Sequence, residues 1–369
     1  MKKLLIISGS LPPIRCGVGY YTQRLIEEFS TQKISYEILS TTGVDQITVP
    51  RLRTVKNWKL TTLVKINRQV KQSGASIVHV QYPAVGYGRQ LGINLLPYVL
   101  RLSGKRVLVT LHEYHESRLI GKVRDFITVL PANKIILSNE QDRLALPGFL
   151  RKKTVVIPIG PNIKRVPADP SVYSGLMKSG GLDNQKPTLL YFGFAQPNKN
   201  LEVLLDAMVS EKLADYQLLL LTELSAQDSY QAKILKQIDS VNSAKKRVAV
   251  AGFLSDEQVS RALQAGKYFV LPQHQPLSAK SSTAITAITH GLLLISSGSK
   301  NPTETLPFID RQNSRLILGP SPEKLGGAVA ELENSKELQD TIESGSAKLA
   351  DYFSWQNIVK QHMEIYGQN

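Results

Sequence analysis

Near-continuous runs of valine, isoleucine and leucine, four to six residues long, recur along this chain with a helical pattern between one run and the next. A strand that is apolar at almost every position is buried on both faces, so such runs demand parallel sheets covered by helices on either side. In the first half the runs fall at 4–8, 34–39, 77–81, 107–111, 134–137 and 155–159. The segment 158–170, PIGPNIKRVPADP, then interrupts the rhythm with four prolines and reads as a linker. The rhythm restarts at 188–192, 217–221, 247–251, 268–271 and 292–295, and residues 355–366 form one closing amphipathic helix. No short tandem repeat occurs in either half, which leaves two similar α/β folds rather than a solenoid. A length of 369 residues, more than one core usually serves, agrees with two domains.

In doubly wound sheets the ligand sits beyond the carboxyl ends of the strands, so the loops there carry the functional reading. The stretch 270–295, VLPQHQPLSAKSSTAITAITHGLLLIS, reads as strand, loop, helix and strand. Its loop holds His274, Ser278, Lys280, Ser281, Ser282 and Thr283 ahead of a small-residue helix that stops at Gly291. Such a loop either caps the helix or presents hydroxyl groups, an ammonium and free helical N–H groups to a phosphate. The loop after 188–192 carries Gly193, Gln196, Pro197, Asn198 and Lys199 just before another helix. Lys199 is there either as an exposed loop lysine or as the partner of a diphosphate. Having two lysines, Lys199 and Lys280, at strand-to-helix loops of one sheet favours the anion. The AGFLS stretch, with Gly252 and Phe253, follows a third strand and offers backbone and apolar surface to a flat base.

In the first half, Gly17 and Gly19 are expected in the loop after the first strand, just ahead of a helix at 20–29, where backbone can approach a ligand closely. Position 22 is threonine, so the G-x-G-x-x-G dinucleotide spacing is not met, and hydride transfer is set aside. His112 closes the run 107–111, placed either for substrate contact or for a structural role. Glu113, His115 and Glu116 are near, but His112 and His115 lack the i, i+4 helical spacing of a zinc pair, and no metal site is expected. His79, inside a strand, is expected to be packed or hydrogen-bonded in the core.

Charge is divided unevenly. Residues 1–170 hold 26 Lys+Arg against 10 Asp+Glu, whereas 171–369 hold 19 against 20, which together recover the net +15. Lys59, Lys65, Arg68 and Lys71 recur near helical spacing around Leu60, Leu63, Val64 and Val70. This basic amphipathic helix is either merely solvated or drawn to an anionic surface. A nucleic acid is not expected, because no reading motif accompanies the charge. Lys2 and Lys3 before LLIIS imitate a signal peptide, but the apolar run is too short for one. A single cysteine, Cys16, precludes an intrachain disulfide, so a cytoplasmic protein is expected.

Taken in order, several of these stretches resemble the GT-B glycosyltransferases of the large retaining family four. They are the Gly17/Gly19 loop, His112 after VLVT, YFGFAQPNKNLEVLLDA, VAGFLS, LPQHQPLSAKSSTAITAITHGLLLI and the closing FSWQNIVKQHMEIY. The resemblance implies two Rossmann-like domains facing each other across a cleft: an acceptor-binding domain at 1–165, a nucleotide-sugar-binding domain at 166–350, and a helix at 351–369 crossing back to the first. It also implies a nucleotide-diphosphate sugar as donor, a glycan or lipid-linked acceptor, retention of anomeric configuration and no metal or other cofactor. Lys199 and Lys280 would meet the diphosphate, with Gly193, Asn198, Ser278, Ser281, Ser282 and Thr283 around them. Gly252 and Phe253 would lie near the base, Gly17 and Gly19 near the donor phosphates, and His112 at the transferred sugar. A basic first domain would place such an enzyme at the inner membrane face.

The departures are specific. The family's paired glutamates fall at Ser278 and Thr286, and the usual arginine falls at Phe194. The chain thus looks closer to a divergent branch with serine and basic residues in this loop. A non-catalytic GT-B subunit that binds a sugar nucleotide or a partner is the alternative that these departures imply.

Overall fold

The computed structural model describes residues 3–14, 16–44, 49, 51–115 and 117–368; Lys2 and Glu116 lie outside the described residues. The chain divides into two compact units, residues 1–160 with 355–369, and residues 161–354.

Among the described residues the first unit contains the strands β1 (Leu4–Ser8), β2 (Tyr36–Thr41), β3 (Leu52–Val55), β4 (Ile77–Tyr82), β5 (Arg106–Leu111), β6 (Lys134–Leu137) and β7 (Thr154–Val156). They pair in parallel in the order β3-β2-β1-β4-β5-β6-β7. Its helices are α1 (Gly17–Thr31), α2 (Leu63–Ser73), α3 (Gly92–Leu102), α4 (Leu119–Val129), α5 (Glu140–Ala145) and α6 (Gly148–Arg151). Period-two alternation splits the core into two clusters. Leu5, Ile7, Val78 and Val109 face Ile66, Ile93, Leu96 and Val129 of α2, α3 and α4. Leu4, Ile6, Ile77 and Leu108 face α1 and the C-terminal helix through Leu25, Phe29, Ile358 and Ile365.

The second unit holds β8 (Thr188–Phe192), β9 (Gln217–Leu221), β10 (Val248–Val250), β11 (Tyr268–Leu271), β12 (Leu293–Ser297) and β13 (Arg315–Ile317). These are also parallel, in the order β10-β9-β8-β11-β12-β13. Its helices are α7 (Pro170–Ser179), α8 (Leu201–Met208), α9 (Ser229–Val241), α10 (Asp256–Gln264), α11 (Ser282–Thr289), α12 (Pro322–Asn334) and α13 (Lys336–Tyr352). The final helix, α14 (Trp355–Gly367), belongs to the first unit. Gly160 lies against its Trp355, where a Cβ would sit 2.4 Å from the indole, so the chain leaves and re-enters the first unit at one place.

Sequence reading missed β3 and β13. Both are short outer strands, Leu-Arg-Thr-Val and Arg-Leu-Ile, and an edge strand need not be apolar throughout. The helix expected at 20–29 starts earlier, so Gly17 and Gly19 occupy the first turn of α1 rather than the loop before it. Of the basic segment, Leu60–Thr62 is a 3-10 turn and α2 begins at Leu63. Val70 is buried there with Ile66, whereas Val64 is exposed.

Two buried histidines lie in the α14 interface. His362 donates Nδ1–H to the Ile358 carbonyl one turn back in its own helix (2.8 Å), and its buried Nε2 has no partner. Burial holds its pKa down to about 4 from the ordinary 6.5. Burial also pushes His79 well below that ordinary value, with the nearby His362 and His112 acting in the same direction. The unfolded chain therefore takes up protons first as pH falls. Stability from these neutral rings is complete above pH 6.5 and is lost as pH drops toward 4, by about 3 kcal/mol for His362 alone. Urea unfolding of His362→Leu across this window should show a shallower fall than the parent chain; superimposable pH profiles would refute the buried neutral ring.

Candidate functional site

Both sheets follow the order in which a doubly wound fold reverses direction beside its first strand, between β1 and β4 and between β8 and β11. Loops that leave the carboxyl ends of such a strand pair splay apart, and ligands settle between them.

In the second unit these loops are Gly193–Asn200 and Pro272–Ser281, and the structure joins them. The amide of His274 donates to the carbonyl of Asn198 (3.1 Å). Gly193 adopts φ +130°, and a Cβ there would meet the Thr283 hydroxyl at 3.3 Å, so glycine lets the end of β8 approach the first turn of α11. The Tyr191 hydroxyl donates to the Phe194 carbonyl (3.1 Å) and fixes the turn. On the facing loop, Leu277 and Ala279 are buried anchors, and the Leu277 amide donates to the Ser297 carbonyl (2.8 Å). Ser278, Lys280, Ser281, Ser282 and Thr283 are half-buried. Ser278 Oγ accepts from the Lys280 amide (3.2 Å), and Ser281 caps α11 by accepting from the Ala284 amide (3.4 Å). Among the described residues no hydrogen bond engages the hydroxyls of Ser282 and Thr283.

Lys199 ends a 3-10 turn, Pro197–Lys199. It is half-buried, burial lowers its pKa, and no described carboxylate pairs with it. A partly desolvated cation without a counter-ion is costly unless an anion arrives. The adjoining helix α8 contributes less than its position suggests. Its first amide, that of Leu201, is met by the Tyr230 hydroxyl (3.4 Å), which itself donates to Glu202 (2.7 Å) in the same turn. The N-terminus of α11, with no acid in its first turn, is the more receptive of the two.

The remaining residues named from the sequence are more scattered. Gly252, at φ +76°, and Phe253, with its ring 81% exposed, follow the edge strand β10, two strands away from β8. Phe194, at the place of the usual arginine, is 82% exposed. Thr286 lies fully buried inside α11 with its hydroxyl unpartnered.

In the first unit His112 stands one residue beyond β5, with its ring edge-on to Tyr21 at 5.0 Å. Its Nε2 donates to Gln81 Oε1 (2.9 Å), while the Gln81 amide nitrogen donates to His79 Nε2 (3.3 Å). Thr110 also meets that His79 nitrogen (2.7 Å), so the neutral His79 ring carries its proton on Nδ1, which faces the Tyr366 hydroxyl (2.8 Å). A buried polar chain thus runs from α14 to His112. Asp142, buried at the start of α5, holds the loop beyond His112 by accepting from the amides of Tyr114 (3.1 Å) and His115 (2.7 Å). Gly19 packs close to the Ser10 carbonyl, where a Cβ would lie at 3.1 Å, and Gly17 opens onto free space. Gln81 and Asp142 escaped sequence reading. Gln81 ends a run at a strand's carboxyl side, which is the one cue available, whereas nothing local marks Asp142.

Replacing Gln81 with glutamate would put a carboxylate between two imidazoles. The His112 titration, followed by the ring proton resonances, should then move to higher pH than in the parent chain. An unmoved titration would show that position 81 does not hold this ring.

Residues 175–348 match the family described as glycosyl transferases group 1. No curated protein matches the sequence. Among solved structures, a glycosyltransferase from Rickettsia africae superposes with a TM-score of 0.77 at 16% identity, covering 99% of this chain and 97% of that one. Anabaena HepE in complex with UDP gives 0.73 at 16% identity, covering 99% of each. Sucrose-phosphate synthase from Thermosynechococcus elongatus gives 0.69 at 18% identity, covering 99% and 98%. The chain therefore has the GT-B fold, and its residues 175–348 resemble the glycosyl transferases group 1 family.

Proposed function

We propose that this protein transfers a sugar from a nucleotide-diphosphate donor to a glycan or lipid-linked acceptor, with retention of anomeric configuration. The observation that carries the reading is Lys199, a half-buried ammonium without a carboxylate partner, on a loop tied to the Lys280 loop at the strand reversal. As the glycosidic bond loosens, negative charge grows on the departing diphosphate. Fixed ammonium groups and the hydroxyl and amide donors of Ser281, Ser282 and Thr283 would stabilise it without having to reorganise. We assign this task to Lys199 and Lys280 rather than to a metal, because the two loops offer ammonium and hydroxyl groups and no carboxylate.

Asn198 and Ser278 line the same loops, Gly193 allows their approach, and Gly252 with Phe253 supplies a surface for the base. Uridine is the base to try first, since HepE was solved with UDP and with UDP-glucose. In the first unit His112, held by Gln81, is assigned to the transferred sugar, and Gly17 and Gly19 to the donor phosphates. Acceptor recognition falls to the first unit, and we place the enzyme in the cytoplasm at the inner membrane face.

A second reading has its own observation. Ser278 is neutral and Thr286 is buried, so neither of the family's two carboxylates is replaced in kind. A sugar-nucleotide-binding subunit without turnover would need neither.

Transfer and hydrolysis assays over a panel of nucleotide sugars separate the two, because a donor that raises the melting temperature without being consumed supports the subunit. Lys199→Ala should weaken UDP binding by about tenfold or more in calorimetric titration and lower turnover, with the fold intact. His112→Ala should lower turnover more than UDP affinity. Unchanged UDP affinity in the lysine variant would remove Lys199 from the site, and collapse of affinity in the histidine variant would reverse the role given to His112.

A further inference from the structure

Two neighbouring strands of the first sheet turn polar side chains toward α14. Positions 77, 79 and 81 of β4, and 108, 110 and 112 along β5 and just past it, alternate onto the side that α1 and α14 cover. Ile77 and Leu108 fill the apolar interior there, whereas His79, Gln81, Thr110 and His112, all buried, carry the same side on to the strands' carboxyl ends. Gln81 and Thr110 are partners in the ladder. Buried polar groups persist where each finds a partner, and here the partners join into the line from Tyr366 through His79 and Gln81 to His112.

The end of that line in α14 is firmly seated. Arg106, the first residue of β5, donates to the carbonyls of Ile365 (2.8 Å) and Tyr366 (3.2 Å). The Tyr366 ring packs edge-on against Phe29 at 6.2 Å and His79 at 5.8 Å. His362, whose ring lies 5.6 Å from that of His79, cannot take the place of Tyr366, because its Nδ1–H is spent on the Ile358 carbonyl.

The line has a direction. A neutral imidazole has one N–H and one lone pair, and burial keeps His79 neutral. Its Nε2 receives the Gln81 amide and the Thr110 hydroxyl, so its one proton sits on Nδ1 and goes to the Tyr366 oxygen. Gln81, turned by its bond to His79, offers Oε1 to His112, whose proton is therefore on Nε2 and whose lone pair is on Nδ1. Any group that meets His112 Nδ1 has to donate to it.

We infer that Tyr366 and His79 are positioning residues for sugar transfer: through Gln81 they hold His112 in the tautomer whose Nδ1 accepts from a hydroxyl of the transferred sugar. A hydroxyl that donates keeps its oxygen electron-rich, which favours the positive charge that builds on the sugar as the glycosidic bond loosens. The bond strengthens toward the transition state, so it acts on turnover more than on donor binding. The purpose of this arrangement rests on the transfer reading and on the role given there to His112; the tautomer does not, and it is measured without any donor.

The experiment is a long-range proton–nitrogen correlation spectrum of the full-length chain carrying nitrogen-15 histidine, at about pH 8 where the ring is neutral, beside turnover of UDP-glucose. The His112 signals are identified by their loss in His112→Ala. In the parent chain they should show the proton on Nε2. Tyr366→Phe keeps the ring packing and removes only the phenol oxygen. A buried N–H without an acceptor is worse than a lone pair without a donor, so His79 should move its proton to Nε2 and the Gln81 amide should turn over. The His112 signature should then change to Nδ1–H, and turnover should fall by about tenfold with UDP affinity unchanged. A parent ring protonated on Nδ1 would overturn the proposal whatever the variant does. So would an unmoved signature in Tyr366→Phe, or a moved signature with parental turnover. A parent chain that consumes no nucleotide sugar, with both tautomers as expected, would count against the transfer reading and leave the coupling of Tyr366 to His112 standing.

Discussion

A parallel strand buried on both faces can place polar chemistry only at its ends. Backbone groups along its length are used in the ladder, and side chains on either face meet helices. Both units of this chain obey that constraint. Leu4 through Ile7 and Leu218 through Leu220 are wholly or almost wholly buried, while Lys199, Lys280, His112 and Phe253 all lie just beyond carboxyl ends. The strand order then concentrates ligand-facing groups further, because the loops after β8 and β11 leave in opposite directions from adjacent strands.

The two units meet the constraint with different chemistry. In the second, a glycine lets two loops come together, and one of their cations, Lys199, pairs with no described carboxylate. In the first, a histidine at a strand end is held by a line of side chains that begins at Tyr366 in the last helix. Each member of that line is buried, so each needs its neighbour: removing Gln81 would take away the acceptor of His112 Nε2 and leave His79 Nε2 to the Thr110 hydroxyl alone. The closing helix is thus part of the first unit's polar interior as well as of its apolar core. The cost of that arrangement is two histidines that must remain neutral.

The match to the glycosyl transferases group 1 family falls within the unit in which the lysine loops lie, and the GT-B fold accounts for the whole chain. Fold alone does not assign chemistry. The assignment of transfer rests on a cation that has no reason to be half-buried in the absence of an anion. The departures at Ser278, Thr286 and Phe194 keep the non-catalytic alternative physically specific.

Much of this was legible in the chain itself. Ten of the thirteen strands were found within two residues at each end, and five of them (4–8, 134–137, 188–192, 217–221 and 268–271) to the residue, because a strand buried on both faces writes its burial directly into composition. The strand ends in turn pointed to His112, Lys199 and Lys280. What sequence could not show depended on contacts between distant segments. Edge strands such as β3 and β13 satisfy only one neighbour and carry no continuous apolar signal. Tyr230 takes the first amide of α8 from a helix about thirty residues away, which no local pattern announces. Gln81 and Asp142 acquire their roles only when parallel pairing sets one strand end beside the next. Composition and spacing therefore determined two covered parallel sheets and the loops that matter, since burial is a property each residue carries. Tertiary structure alone decided which cations stay unpaired and which buried polar side chains meet in one line, since those depend on what the fold brings next to them.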